Sequence, residues 1–202
     1  HGNFCTWNPL DKVTYGSSGS TFSQGNLEVA TSNSDQTGAI SSMGMASGKW
    51  YAEFEMGQDT PGSQIGVTKL PWAYASGGKA LGGTSGGYVY SNDGNKFNNN
   101  SSSSYGSTYT EGDIIGVAVN ADTRTIWFSK NGTWQNSATA SEINAGTTTN
   151  AAYTAMGASG DTFFFIFSDE TASGISKVKA NFGARSFKYT PPTGFKALCT
   201  QN

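Results

Sequence analysis

Two glutamates are the first candidates for chemistry. Glu53 and Glu55 lie two apart in Gly48-Lys49-Trp50-Tyr51-Ala52-Glu53-Phe54-Glu55-Met56, an alternating stretch that reads as a half-buried strand with Trp50, Ala52, Phe54 and Met56 on the inward face and Tyr51, Glu53 and Glu55 on the wet one. A glycosidase needs two carboxyl groups at a set separation, one as acid and the other as base or nucleophile. The pair therefore nominates a carbohydrate-active enzyme. The plainer reading leaves both acids solvated on the wet face of a half-buried strand, or paired with Lys49 or Lys69, and the lack of a third acid on the strand favours it.

Other chemistries run short of residues. His1 is the single histidine; a copper brace built on an N-terminal histidine needs a second one, and a nucleophile lacks a histidine base unless this terminal residue serves. Asn92-Asp93-Gly94-Asn95 offers oxygens but not the spaced acids that calcium requires, so it reads as a turn. No metal and no cofactor is expected. Asn-X-Ser/Thr triplets occur at Asn99, Asn100 and Asn131, and in Asn-rich tracts such matches arise by chance.

Aromatic residues in loops are the stronger signal. Trp72, Tyr74, Tyr105 and Trp134 fall in or beside predicted loops, where exposed rings stack on sugars or anchor protein partners. With Lys69 and Asn100 they make up a candidate ligand-binding set on the loops 69–74, 98–105 and 133–136. The alternative is that these rings pack under long loops. Trp50, Trp127, Phe128, Phe165 and Phe182 fall in strands and read as core.

The elements that would position these residues are strands. The 202 residues include 27 Gly, 12 Phe, 9 Tyr and 5 Trp with 13% charged residues, a composition poor in helix formers and rich in strand and turn formers. Residues 21–30 read as an edge hairpin around Gly25-Asn26, and 88–97 as a hairpin turning at Asp93-Gly94. The tract 98–104 reads as a mobile polar segment. Residues 113–120 and 124–129 are successive antiparallel strands, followed by a turn at Asn131-Gly132. Thr162–Ser168 is the most apolar strand, buried on both faces. Residues 177–183 form the last clear strand and 189–195 a rigid closing loop. No helix longer than a turn or two is expected, and about ten short strands imply an all-β sandwich or barrel.

Charge and length bound the function. With 12 basic and 14 acidic residues and no Lys/Arg cluster along the sequence, nucleic acid is not expected as a partner. No apolar run approaches the length of a membrane span and no signal peptide opens the chain, so no membrane insertion is expected. The chain reads as one domain over 1–202, a piece of a larger protein. Cys5 and Cys199 lie near opposite ends. Only contact between the ends could join them, and a disulfide there would add up to about 5 kcal/mol; two free buried thiols are the alternative.

The motifs Ser47-Gly48-Lys49-Trp50-Tyr51-Ala52-Glu53-Phe54, Ile65-Gly66-Val67, Gly112-Asp113-Ile114-Ile115-Gly116-Val117-Ala118-Val119, Thr125-Ile126-Trp127-Phe128-Ser129-Lys130-Asn131-Gly132 and Val178-Lys179-Ala180-Asn181-Phe182-Gly183 occur in an order that resembles the SPRY domain, the core of the B30.2 module. The pair Gly-Asp-Ile-Ile-Gly-Val and Phe-Ser-Lys-Asn-Gly is its specific part. Asn8-Pro9-Leu10 and the closing residues 187–198 look most like SPRY-like domains of bacteriophage structural proteins. The resemblance implies an antiparallel, bent two-sheet sandwich of the concanavalin A-like type, loops at one end that bind protein segments, and no shared catalytic residues. A phage-borne version implies a virion-surface, extracellular location and a host-surface glycan or protein, or a neighbouring virion subunit, as partner. Three readings follow: a non-enzymatic adhesion module, a carbohydrate-active enzyme using Glu53 and Glu55, and a purely structural decoration domain.

Overall fold

The structure is a computed structural model that describes residues 2–11, 13–15, 19–33, 36–71, 81–171 and 173–202. Its strands are β1 (Val13–Tyr15), β2 (Thr21–Ser23), β3 (Glu28–Ala30), β4 (Gln36–Ile40), β5 (Lys49–Gln58), β6 (Ser63–Lys69), β7 (Gly87–Ser91), β8 (Asn95–Asn98), β9 (Ser101–Ser104), β10 (Ile114–Asn120), β11 (Thr125–Lys130), β12 (Thr133–Trp134), β13 (Phe163–Asp169), β14 (Lys177–Asn181) and β15 (Lys196–Ala197). Among the described residues they are interrupted by one short α-helix, α1 (Ala140–Ala145), and by a single 3-10 turn at Leu81–Gly83.

The strands build two facing sheets. A seven-stranded sheet has the order β1-β4-β13-β6-β7-β8-β9, and an eight-stranded sheet the order β12-β11-β10-β5-β14-β3-β2 with β15 beside β5. Among the described residues every strand pairing is antiparallel except that of β15 with β5. Turn spacing left a sandwich or a barrel open; the fold is the antiparallel two-sheet sandwich that the resemblance to SPRY domains implied.

Alternation decides which side chains meet between the sheets. From β5, Ala52, Phe54 and Met56 point inward, and from β13 Phe163, Phe165 and Phe167 do so. Phe54 meets Phe165 across the gap at 5.7 Å between ring centres. The other face of β13 is covered too: Ile166 packs with Ile40 and Val89, and Phe164 joins them. Trp127, Phe128, Phe165 and Phe182 are core, as expected; Trp50 is only partly buried.

Local turn chemistry explains the hairpins. The β11–β12 turn is Asn131-Gly132, with φ of 49° and 80°, the left-handed pair that a two-residue hairpin needs. The same chemistry corrects the reading of 98–104 as a mobile tract. Asn99 and Asn100 have φ of 51° and 61°, and this turn folds β9 back on β8 as an edge strand.

The chain ends meet. Phe4 bridges Cys199 in antiparallel fashion, and Cys5 N–H donates to the Leu198 carbonyl at 3.0 Å. Cys5 and Cys199 nonetheless are free and buried. Directly opposed residues share a face, so Cys199 lies on the side of Phe4 and Cys5 on the other. The register that brings the ends together turns the two thiols apart, and burial pushes the Cys5 thiol up from its ordinary value.

Candidate functional site

The outer face of the eight-stranded sheet is set by register. Glu53 lies opposite Gly116 on β10 and Asn181 on β14, and Glu55 lies opposite Ile114 and Lys179. A Cβ on Gly116 would collide with the Tyr51 and Ser129 hydroxyls. This close approach is what lets Tyr51 lie flat across its neighbour strand.

Half of this face is roofed. Tyr51, Ala118 and Trp127 form one apolar cluster with Ile143 of α1 and Phe195 of the closing loop. Phe187 stands edge-on to Tyr51 at 4.9 Å, and Phe195 edge-on to Trp127 at 6.4 Å. The roof is secured by α1, whose Thr139 and Glu142 form a reciprocal capping box, and by Asn144, whose side chain accepts from Thr193 N–H at 2.6 Å. Replacing Thr139 with Ala removes the cap. The expected cost is about 1 kcal/mol, a fall in Tm of about 3 °C in a thermal melt.

Glu53 pins the closing segment to the sheet. Its Oε2 accepts from Lys188 N–H at 2.7 Å, and its Oε1 accepts from Tyr189 N–H at 2.8 Å and from the Tyr51 hydroxyl at 3.2 Å. It is 4% exposed. The expectation of a wet face carrying Tyr51, Glu53 and Glu55 is therefore corrected for the first two. Residues more than a hundred positions away cover them and exchange backbone N–H groups for solvent. Burial, with the Glu53 carboxylate alongside, pushes the Tyr51 phenol well above its ordinary value. With its oxygens taken by structural donors, Glu53 serves as an anchor, and its pairing with Glu55 does not form a free acid pair.

Beyond the roof the face opens as a groove of about 460 Å³. Its floor is Glu53, Glu55, Ile114, Lys179 and Asn181, and its wall is the segment 185–188. Asn181 fixes the wall, since its Nδ2 donates to the Ser186 carbonyl at 3.1 Å and its Oδ1 accepts from Gly183 N–H at 3.0 Å. Of this site only the two glutamates stood out in the sequence. A usable signal was present in the alternation of Lys177 and Lys179 on an otherwise apolar strand, which marks an outward face.

The loop residues expected to form one surface do not converge. Lys69 and Asn100 share one end of the seven-stranded sheet, on either side of residues 84–87: Lys69 N–H donates to the Gly86 carbonyl and Asn99 N–H to the Thr84 carbonyl. Lys69 is bound in an ion pair with Asp161 at 2.9 Å, while Asn100 is exposed at its turn. Tyr105 is not a surface ring. It is 5% exposed, packs against Tyr90 and Phe128, and its oxygen accepts from Phe128 N–H at 3.2 Å. Trp134 is half-buried on the outside of the other sheet, 6.5 Å from Tyr51. Trp72, Tyr74 and His1 lie outside the described residues.

Comparison with known proteins fits this architecture. The family model described as SPRY domain matches residues 49–170, which is more than half of the chain and runs from β5 through β13. The chain belongs to the SPRY domain family. Over 161 residues it is 27% identical to the ATP-dependent RNA helicase DDX1 of Xenopus laevis, covering 80% of this chain and 19% of that protein. The chain thus spans about a fifth of the length of that curated relative. Among solved structures it is similar to the SPRY domain of human HERC1, with a TM-score of 0.61 at 20% identity, covering 82% of this chain and 94% of that one. At that identity the likeness speaks for the fold. SPRY domains are protein-binding modules and as a group are not enzymes. The groove straddles the limit of the matched region. Glu53, Glu55 and Ile114 lie inside it, whereas Lys179, Asn181 and the 185–188 wall lie beyond its end.

Proposed function

We propose that this SPRY domain is a non-enzymatic module that binds an extended protein segment in the groove between β5, β14 and the 185–188 wall. The observation that carries the reading is the Glu53 anchor, which holds the wall rigidly over an open sheet face. A preformed groove avoids the ordering cost that a mobile loop would pay on binding. The setting we propose is the surface of a phage virion, as part of a larger protein, with a host-surface protein as partner. Its support is the likeness of residues 8–10 and 187–198 to phage structural proteins and the uncharged Ser, Thr and Asn of exposed edges such as β9. Weak single contacts would be multiplied by many copies on a particle. A host glycan or a neighbouring virion subunit would leave the groove without a peptide preference.

Selection of a random linear peptide library on the 202-residue chain tests this. Ser186 is exposed on the groove wall, so Ser186→Trp fills the groove without touching the core. Enriched peptides are expected to lose about tenfold or more in affinity for this variant, in line with blocking an anchor pocket. Failure to enrich any peptide, or peptides indifferent to Ser186→Trp, would sink the reading.

A further inference from the structure

The charges of the groove are uneven. Beyond Glu170 the sequence has no Asp or Glu, yet it holds Lys177, Lys179, Arg185, Lys188 and Lys196, five of the 12 basic residues. The first 170 residues therefore carry seven basic against 14 acidic residues. Folding turns this linear bias into a local one, because β14 contributes Lys179 to the floor of the groove and the following segment contributes Arg185 and Lys188 to its wall.

These cations are available. The side chains of Arg185 and Lys188 are exposed and make no hydrogen bond or ion pair among the described residues. Lys179 reaches Glu28 only at 3.9 Å, a contact of little worth at a surface. On the acidic side, Glu53 is occupied by three donors. Glu55 remains, half-buried on the floor between Ile114 and Lys179. The groove thus presents three cations around one carboxylate, with Ile114 and the half-buried Phe187 as apolar ground.

That pattern discriminates between polyanions. A nucleic acid places a phosphate at every step and would set one against Glu55. A peptide can meet Glu55 with a backbone N–H or a hydroxyl, put an apolar side chain on Ile114, and still offer carboxylates to the three cations. We propose that the groove selects an extended acidic protein segment, with its carboxylates on Lys179, Arg185 and Lys188 and a hydrogen-bond donor on Glu55. This rests on the groove being the protein-binding site.

The test is fluorescence anisotropy of the 202-residue chain with three labelled probes: an eight-residue peptide alternating Glu and Ser, its Lys–Ser twin, and an eight-nucleotide oligothymidylate. The acidic peptide is expected to bind about tenfold tighter than its twin, and to weaken about tenfold between about 50 and 300 mM salt as screening sets in. Arg185→Glu/Lys188→Glu should invert the preference between the peptides with an unchanged denaturation midpoint, because neither side chain has a partner among the described residues to lose. Equal affinity for the two peptides, or tighter binding of the oligothymidylate, overturns the acidic-segment proposal. In that event, library-selected peptides that still depend on Ser186 leave the protein-binding groove standing. If they too are lost, the groove reading falls with it.

Discussion

Glu53→Ala is expected to destabilise the fold by about 3 kcal/mol, because buried donors deprived of their acceptor cost about 1–3 kcal/mol each and water entering the gap returns part of it. The donors are the Lys188 and Tyr189 backbone N–H groups and the Tyr51 hydroxyl. Hydrogen exchange reports the effect residue by residue. Protected in the native protein, the amides of Lys188 and Tyr189 should exchange at nearly open-chain rates in the variant, while the amides of β13 keep the protection of the global fold. Peptide binding in the groove should fail together with that wall. Glu53→Gln separates an anchor from a catalytic acid. A catalytic glutamate tolerates its isosteric amide in stability and loses turnover. Here the amide nitrogen must face a backbone N–H, so Glu53→Gln is expected to lose much of the stability that the alanine variant loses. A stable Glu53→Gln protein with protected Lys188 and Tyr189 amides would remove the anchor role.

Trp7→Ala is expected to cost about 4 kcal/mol, the range for emptying a fully buried tryptophan site. Trp7 is 0% exposed. Its ring packs on Phe54 at 5.7 Å and edge-on to Phe182 at 5.2 Å, and its backbone N–H donates to the Asn26 carbonyl at 2.9 Å. Its indole Nε1 has no hydrogen-bond partner among the described residues, so the loss is one of packing. Trp7→Phe should accordingly be much milder, since it keeps most of the ring and removes the unpaired N–H. A urea titration checks both: the midpoint should fall steeply for Ala and slightly for Phe with a similar slope. Equal midpoints for Trp7→Ala and the native chain would show that the N-terminal segment contributes nothing to the core.

The fold is legible along the chain wherever one strand settles the matter by itself. The alternation in β5 correctly assigned Ala52, Phe54 and Met56 to the interior. The phenylalanines of β13 correctly implied cover on both faces. The Asn131-Gly132 turn needed only the left-handed preferences of those two residues. Alternation also put Tyr51 and Glu53 on the opposite face, and that too is right. It could not say what lies above that face, and the answer is a segment around Phe187 to Tyr189, far along the sequence. Tyr105 failed for a related reason. Beside a serine tract it has no periodic neighbours to mark it, and its burial comes from Tyr90 and Phe128 of other strands.

The all-β class, the strand pairs joined by short turns and most of the inward-facing residues are written along the chain, because each depends on local conformational preference or period-two patterning, and the ordered motifs carry membership of the SPRY family. The anchoring role of Glu53, the opposed directions of the two cysteines and the gathering of basic residues from 179–188 along one groove arise from the folded arrangement alone. These depend on which distant segments share a sheet and in what register, and register between distant strands is set by the packing of the whole core.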